Sequence, residues 1–133
     1  MKHIYHIANE IRKRGNTFAA CTIVATKGSA PLKAGAKMLV LQDASIHGTI
    51  GGGNLEKKVI ENALKVIKEN KPRLFHHELL RQHGMCCGGT VDIFIEPVMP
   101  NKKLYIFGAG HVGKAIARHA LGLDFDIFVI DDR

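Results

Sequence analysis

The chain has 133 residues, which by the rule of roughly 150 residues per domain means one domain, or one small domain and part of another. Lysine and arginine total 19 against 12 aspartates and glutamates, a formal charge of +7, and 46% of residues are hydrophobic, a globular composition that excludes a disordered chain. Aromatics are 6% and no nucleic-acid motif accompanies the charge, so no base-stacking surface is expected, and no apolar run approaches the ~18 residues of a membrane span. Residues 3–14 place Ile4, Ile7, Ala8 and Ile11 at helical spacing, with Gly15 as the stop. Residues 17–26 read as a buried strand rich in β-branched side chains. A loop over 27–35 follows, then short strands over 36–41 and 45–50. Gly51-Gly52-Gly53 breaks the second of these, and Asn54 is expected to N-cap a helix reaching about Asn70, with Leu55, Val59, Ala63, Val66 and Ile67 on its inner face. Strands are expected over 73–80 and 90–96, flanking a loop over 81–89.

Residues 97–101 read as a linker, after which Lys103–Phe107 is a continuous apolar run, as expected of a strand buried on both faces. Gly108-Ala109-Gly110-His111-Val112-Gly113 opens a helix, and a second strand over 126–130 ends in Asp131-Asp132. Strand, glycine turn, helix, strand and acid in this order make the start of a dinucleotide-binding unit. Gly108 would allow the tight turn, Gly110 the approach of a pyrophosphate and Gly113 close helix packing. Asp131 would accept from a ribose hydroxyl, with NAD(P) as the ligand. The alternative is that these glycines serve packing alone.

Three cysteines, with Cys86 and Cys87 adjacent, argue against a disulfide scaffold. The N-terminal residues lack the apolar core of a signal peptide, so a reducing, cytoplasmic setting is expected. The remaining unusual chemistry concentrates in three glycine loops, over 27–35, 48–56 and 84–89. Glycine permits close backbone approach to phosphate or pterin groups. A thiol there would serve as nucleophile or soft metal ligand, and Cys87, before Gly88-Gly89, is the best placed. Cys21 lies within a strand and reads as core. Glu56 reads either as an acid or base or as a first-turn complement to the helix dipole. Zinc is disfavoured, because adjacent cysteines with scattered His76, His77 and His83 fit no common ligand spacing.

Thr26-Lys27-Gly28-Ser29-Ala30-Pro31 with Gly35-Ala36-Lys37-Met38, Gly48-Thr49-Ile50-Gly51-Gly52-Gly53-Asn54-Leu55-Glu56, Gly84-Met85-Cys86-Cys87-Gly88-Gly89-Thr90 and Glu96-Pro97 together resemble the XdhC/CoxI family. The tail from Phe107 to Arg133 resembles that family's Rossmann-like second domain. The resemblance implies an α/β protein: an α+β module over 1–97, then a truncated Rossmann-like βαβ start over 101–133. It implies a chaperone for the molybdenum cofactor (molybdopterin), more an accessory maturation factor than an enzyme. Such a factor aids sulfuration and delivery to an apo molybdenum hydroxylase of the xanthine or carbon monoxide dehydrogenase type, with a cysteine desulfurase-like sulfur donor.

Carried onto this chain, the resemblance makes Cys87 the sulfur or transient molybdenum contact, accompanied by Glu56. Lys27, Gly28, Ser29, Lys37, Gly51, Gly52, Gly53, Asn54, Gly88 and Gly89 become cofactor contacts, and Lys33 a further cation offsetting ligand charge. Two departures stand out. Asn54 occupies a position where many relatives carry cysteine, and the chain stops after the second Rossmann strand. The open βαβ start is therefore expected to self-associate or to pair with a separately encoded remainder. The rival readings are an NAD(P)-dependent oxidoreductase using the glycine turn and a non-catalytic subunit bridging client enzyme and sulfur donor.

Overall fold

The computed structural model describes residues 3–84, 86 and 88–132. Its contacts divide the chain into two units, Met1–Met99 and Pro100–Arg133. The first unit runs α1 (Ile4–Lys13), β1 (Phe18–Lys27), β2 (Lys37–Leu41), β3 (Ile46–Gly48), α2 (Gly53–Glu69), β4 (Arg73–Glu78), α3 (Leu79–His83) and β5 (Thr90–Val98). Its strands form one antiparallel sheet in the order β3-β2-β1-β5-β4.

The period-2 alternation of the strands divides the side chains between two cores. Ala19, Cys21 and Ile23 of β1, Met38 and Val40 of β2, and Val91, Ile93 and Ile95 of β5 face α2. They pack there on Leu55, Val59, Ala63, Val66 and Ile67. The opposite positions Phe18 and Leu39 meet Ile4, Ile7, Ala8 and Ile11 of α1. The longer helix thus covers the main core and α1 closes a smaller one. Burial holds the Cys21 thiol up at about 12, which leaves it protonated and unreactive.

Three local differences from the sequence expectation have physical causes. Helix α2 begins at Gly53 with Gly52 as N-cap, so Asn54 lies inside its first turn and does not cap it. Strand β3 stops at Gly48, whose φ of +79° turns the backbone away where a Cβ would fall 2.6 Å from the Lys37 carbonyl oxygen. Residues 79–83 form a short helix in place of the end of a strand and a loop. There the Gln82 side chain accepts from the Glu78 amide at 3.0 Å, and the Leu79 side chain is buried while Leu80 faces out.

In the second unit, β6 (Lys102–Phe107) and β7 (Phe125–Ile130) pair in parallel across α4 (His111–Ala120). A parallel pair needs such a crossover. Ile106, Gly113 and Ala120 are buried, but one helix covers one side of the pair, and Phe107, Val112 and Leu121 remain more than 70% exposed. No helix of the described residues is long and apolar enough to cross a membrane.

The two faces of β4–β5 should respond differently to truncation. Ile93 is fully buried under α2 whereas Leu74 is 63% exposed. Ile93→Ala should cost about 3 kcal/mol by cavity formation and Leu74→Ala less than about 1 kcal/mol, as read from urea unfolding midpoints.

Candidate functional site

The three glycine loops meet at one end of the first sheet. Gly89, the last residue before β5, is buried against the segment after β1. A Cβ on it would lie 2.3 Å from the carbonyl oxygens of both Lys27 and Ser29, so any side chain there forces the two backbones apart. The Gly89 amide donates to the Ser29 carbonyl at 3.0 Å, and its carbonyl accepts from the Leu79 amide at 3.0 Å. Gly28, with φ +68°, faces the Gly89 Cα. Residues 80–88 therefore leave and rejoin the fold at one closed base, formed by Leu79 and Gly89.

The loop after β3 joins them through other contacts. A Cβ on Gly51 would meet Pro31 Cγ at 2.5 Å, so this glycine admits the proline of the first loop. One carboxylate oxygen of Glu56 accepts from the Thr49 hydroxyl at 2.6 Å and from the amides of Gly52 at 3.0 Å and Ile50 at 3.4 Å. It reaches back to the N-cap amide much as a capping-box glutamate does. Glu56 is thus committed to holding residues 49–52, a positioning role. The Asn54 side chain, freed from capping, donates to the His83 carbonyl at 3.1 Å and ties the start of α2 to the start of the thiol loop.

Gly28, Ser29, Gly51, Gly52, Gly53, Asn54, Glu56, Gly88 and Gly89 are accordingly brought together, with Lys27 exposed at the end of β1 and Lys33 exposed in the first loop. Cys86 is exposed, while Cys87 lies outside the described residues. Lys37 is not gathered with them. It stands opposite Thr22 on the α1 face of the sheet, where its ammonium donates to the Thr22 hydroxyl at 3.1 Å and lies over the Tyr5 ring. One residue along a strand reverses the face.

A buried histidine pair that no motif marks lies beside this cluster. His77 Nδ1 lies 3.0 Å from His83 Nε2, and both residues are under 8% exposed. Burial above all, then the charge of His83, holds the His77 imidazole down at about 4. Burial, then Lys58, lowers His83 as well. Alternation along β4 from Phe75 would have turned His77 inward, but nothing in the sequence pairs it with His83.

In the second unit, Gly108 adopts φ +104°, and its amide donates to the Ile130 carbonyl at 2.7 Å. A Cβ on Gly113 would fall 1.9 Å from the Gly108 carbonyl oxygen, so this glycine is required for α4 to sit on the turn. Gly110 is the N-cap of α4. The Asp131 carboxylate, expected to face a ribose, accepts from the Ala109 amide at 2.5 Å.

Two measurements check these assignments. Gly89→Ala should destabilise the first unit by about 2 kcal/mol or more, because two carbonyls must move. Gly88→Ala, with open space around its Cβ position, should change the unfolding midpoint by less than about 0.5 kcal/mol. The second measurement uses the depressed His77 value, about 4 in the folded chain against the ordinary 6.5 of a free imidazole. As pH falls from about 6.5 to about 4 the unfolded chain takes up a proton that the folded chain refuses, so stability should drop by up to roughly 3 kcal/mol. His77→Gln should flatten that slope in unfolding curves taken at stepped pH.

The chain is 44% identical over 133 residues to the uncharacterized protein YqeB of Escherichia coli strain K12, covering 97% of this chain and 24% of that protein. It therefore spans about a quarter of that relative's length. A crystal structure described as a xanthine dehydrogenase from Bacillus halodurans superposes with a TM-score of 0.62 at 19% identity, covering 96% of this chain and 62% of the other. That likeness supports the mixed α/β fold. The family model for XdhC and CoxI proteins matches residues 11–78, a stretch that holds the first two glycine loops, and the chain belongs to the XdhC and CoxI family.

Proposed function

We propose that the glycine-loop end of the first unit binds the molybdenum cofactor. The protein would serve as an accessory factor in maturing a molybdenum hydroxylase of the xanthine or carbon monoxide dehydrogenase type. The observation that carries this reading is the convergence of three glycine loops on the base of the Cys86–Cys87 loop, together with family membership. The residues present fit such a group. Open space surrounds the Cβ positions of Gly52, Gly53 and Gly88, so a ligand has room to approach the backbone there. Lys27, at the end of β1, and Lys33, in the loop that follows, are exposed cations. Bound, the cofactor supplies a thiophilic metal centre and an anionic pterin phosphate.

The chain's own part is to bind, orient and release. Backbone amides of the loops would hold the phosphate end. Cys87 is the thiol assigned to the metal end, since a soft ligand suits that centre and exchanges when a recipient offers its own donors. Glu56 fixes the loop that it spans, and Asn54 fixes the neighbouring end of the thiol loop. A client apo-enzyme and a cysteine desulfurase-like sulfur donor are the partners that this role needs.

Cys87→Ser, purified from a molybdenum-replete host, should retain several-fold less molybdenum and pterin and activate the client less. Its unfolding midpoint should stay within roughly 1 kcal/mol of the parent. Parent-level retention and activation would remove the thiol from the mechanism and favour a bridging subunit.

A further inference from the structure

We infer that the cleft between α2 and the β4–α3 corner is a binding site for a phosphate group. Its walls carry Asn54, Lys57 and Asn62 of α2, Gln82 of α3 and the His77–His83 pair, around a cavity of about 520 Å³. The site lies on the flank of α2 and uses neither cysteine, although it shares Asn54 with the cofactor reading.

Two neutral imidazoles carry two N–H groups, and one is spent on the 3.0 Å bridge between His77 Nδ1 and His83 Nε2. The second must sit on an outer nitrogen, either His77 Nε2 or His83 Nδ1. In each tautomer one outer nitrogen is a donor and the other an acceptor. His77 is 5% exposed, and its Nε2 is buried with no hydrogen-bond partner among the described residues. Buried polar groups rarely stay unpaired. A hydrogen phosphate, which accepts at several oxygens and donates from its hydroxyl, matches such a pair, as does a phosphate monoester in its monoanionic form.

The charge around the cleft favours the same ligand. Lys57 forms no ion pair among the described residues, and the acid in the wall, Glu61, is bridged to Lys58 at 2.9 Å. Asn62 and Gln82 add side-chain amides, while Phe75 and His76, the latter bonded to Asp92, complete the wall.

The test is titration of the apo-protein with inorganic phosphate near neutral pH, watching the ring-nitrogen resonances of His77 and His83. Both should shift in a saturable way. Lys57→Ala should weaken the affinity about tenfold, as expected for a charge-assisted contact. Lys65→Ala, two turns further along the helix and paired with Glu69, should leave it unchanged. A parallel titration with a 5′-mononucleotide separates the sources: binding as tight as phosphate assigns the phosphate end of a larger ligand, and exclusion of the nucleotide assigns the free anion. Ring signals unmoved by either probe, or equal affinity in Lys57→Ala and the parent, would overturn the site. Because no molybdenum or client is used, this result is separate from that of Cys87→Ser.

Discussion

The close backbone contact at Gly89 is the constraint on which the arrangement of the first unit depends. Two carbonyl oxygens, from Lys27 and Ser29, occupy the volume where any other residue would carry its Cβ. The contact lets β5 enter the sheet directly beside the end of β1, and Thr90 pairs with Lys27 at once. It also closes the base of the 80–88 excursion through Leu79. The excursion is therefore held at a fixed point, with His83 buried and Gly84, Cys86 and Gly88 exposed. A site on a loop gains precision in this way, from rigid anchoring at both ends.

Polar side chains that a sequence reader would assign to catalysis are largely spent on that anchoring. Glu56 satisfies the amides of the triple-glycine loop and Asn54 satisfies the His83 carbonyl. With no side chain at Gly52 to cap α2, residues deeper in the helix hold the loop instead. The result is a rim of open glycines whose supporting bonds lie beneath it. The histidine pair sits one layer further in, between α2 and β4, where desolvation keeps both rings neutral near pH 7.

The second unit obeys a different constraint. Gly113 brings α4 against the Gly108 carbonyl, and the parallel pair β6–β7 then has one side covered. Parallel strands are normally covered on both faces. The exposure of Tyr105, Phe107, Phe128 and Ile130 on the uncovered face follows from that imbalance. The contact of Asp131 with the Ala109 amide ties the end of β7 to the glycine turn, so the acid that a ribose would need is already engaged with the backbone.

The sequence by itself determined the elements whose signal is local. The α2 stripe from Leu55 to Ile67, the β-branched run of β1 and the strand–turn–helix of residues 103–120 each state their own periodicity, and all three form. The glycine clusters likewise announced where backbone comes close. What it came close to was decided by tertiary structure. Gly89 meets Ser29 from far along the chain, and His77 meets His83 because β4 ends in a helical turn that no strand pattern foretold. Lys37 shows the same limit from the other side. Its motif neighbours share the loops, but the pleat sends its side chain to the α1 face. Periodicity fixes which way a residue points within its element; the pairing of distant elements fixes what it finds there.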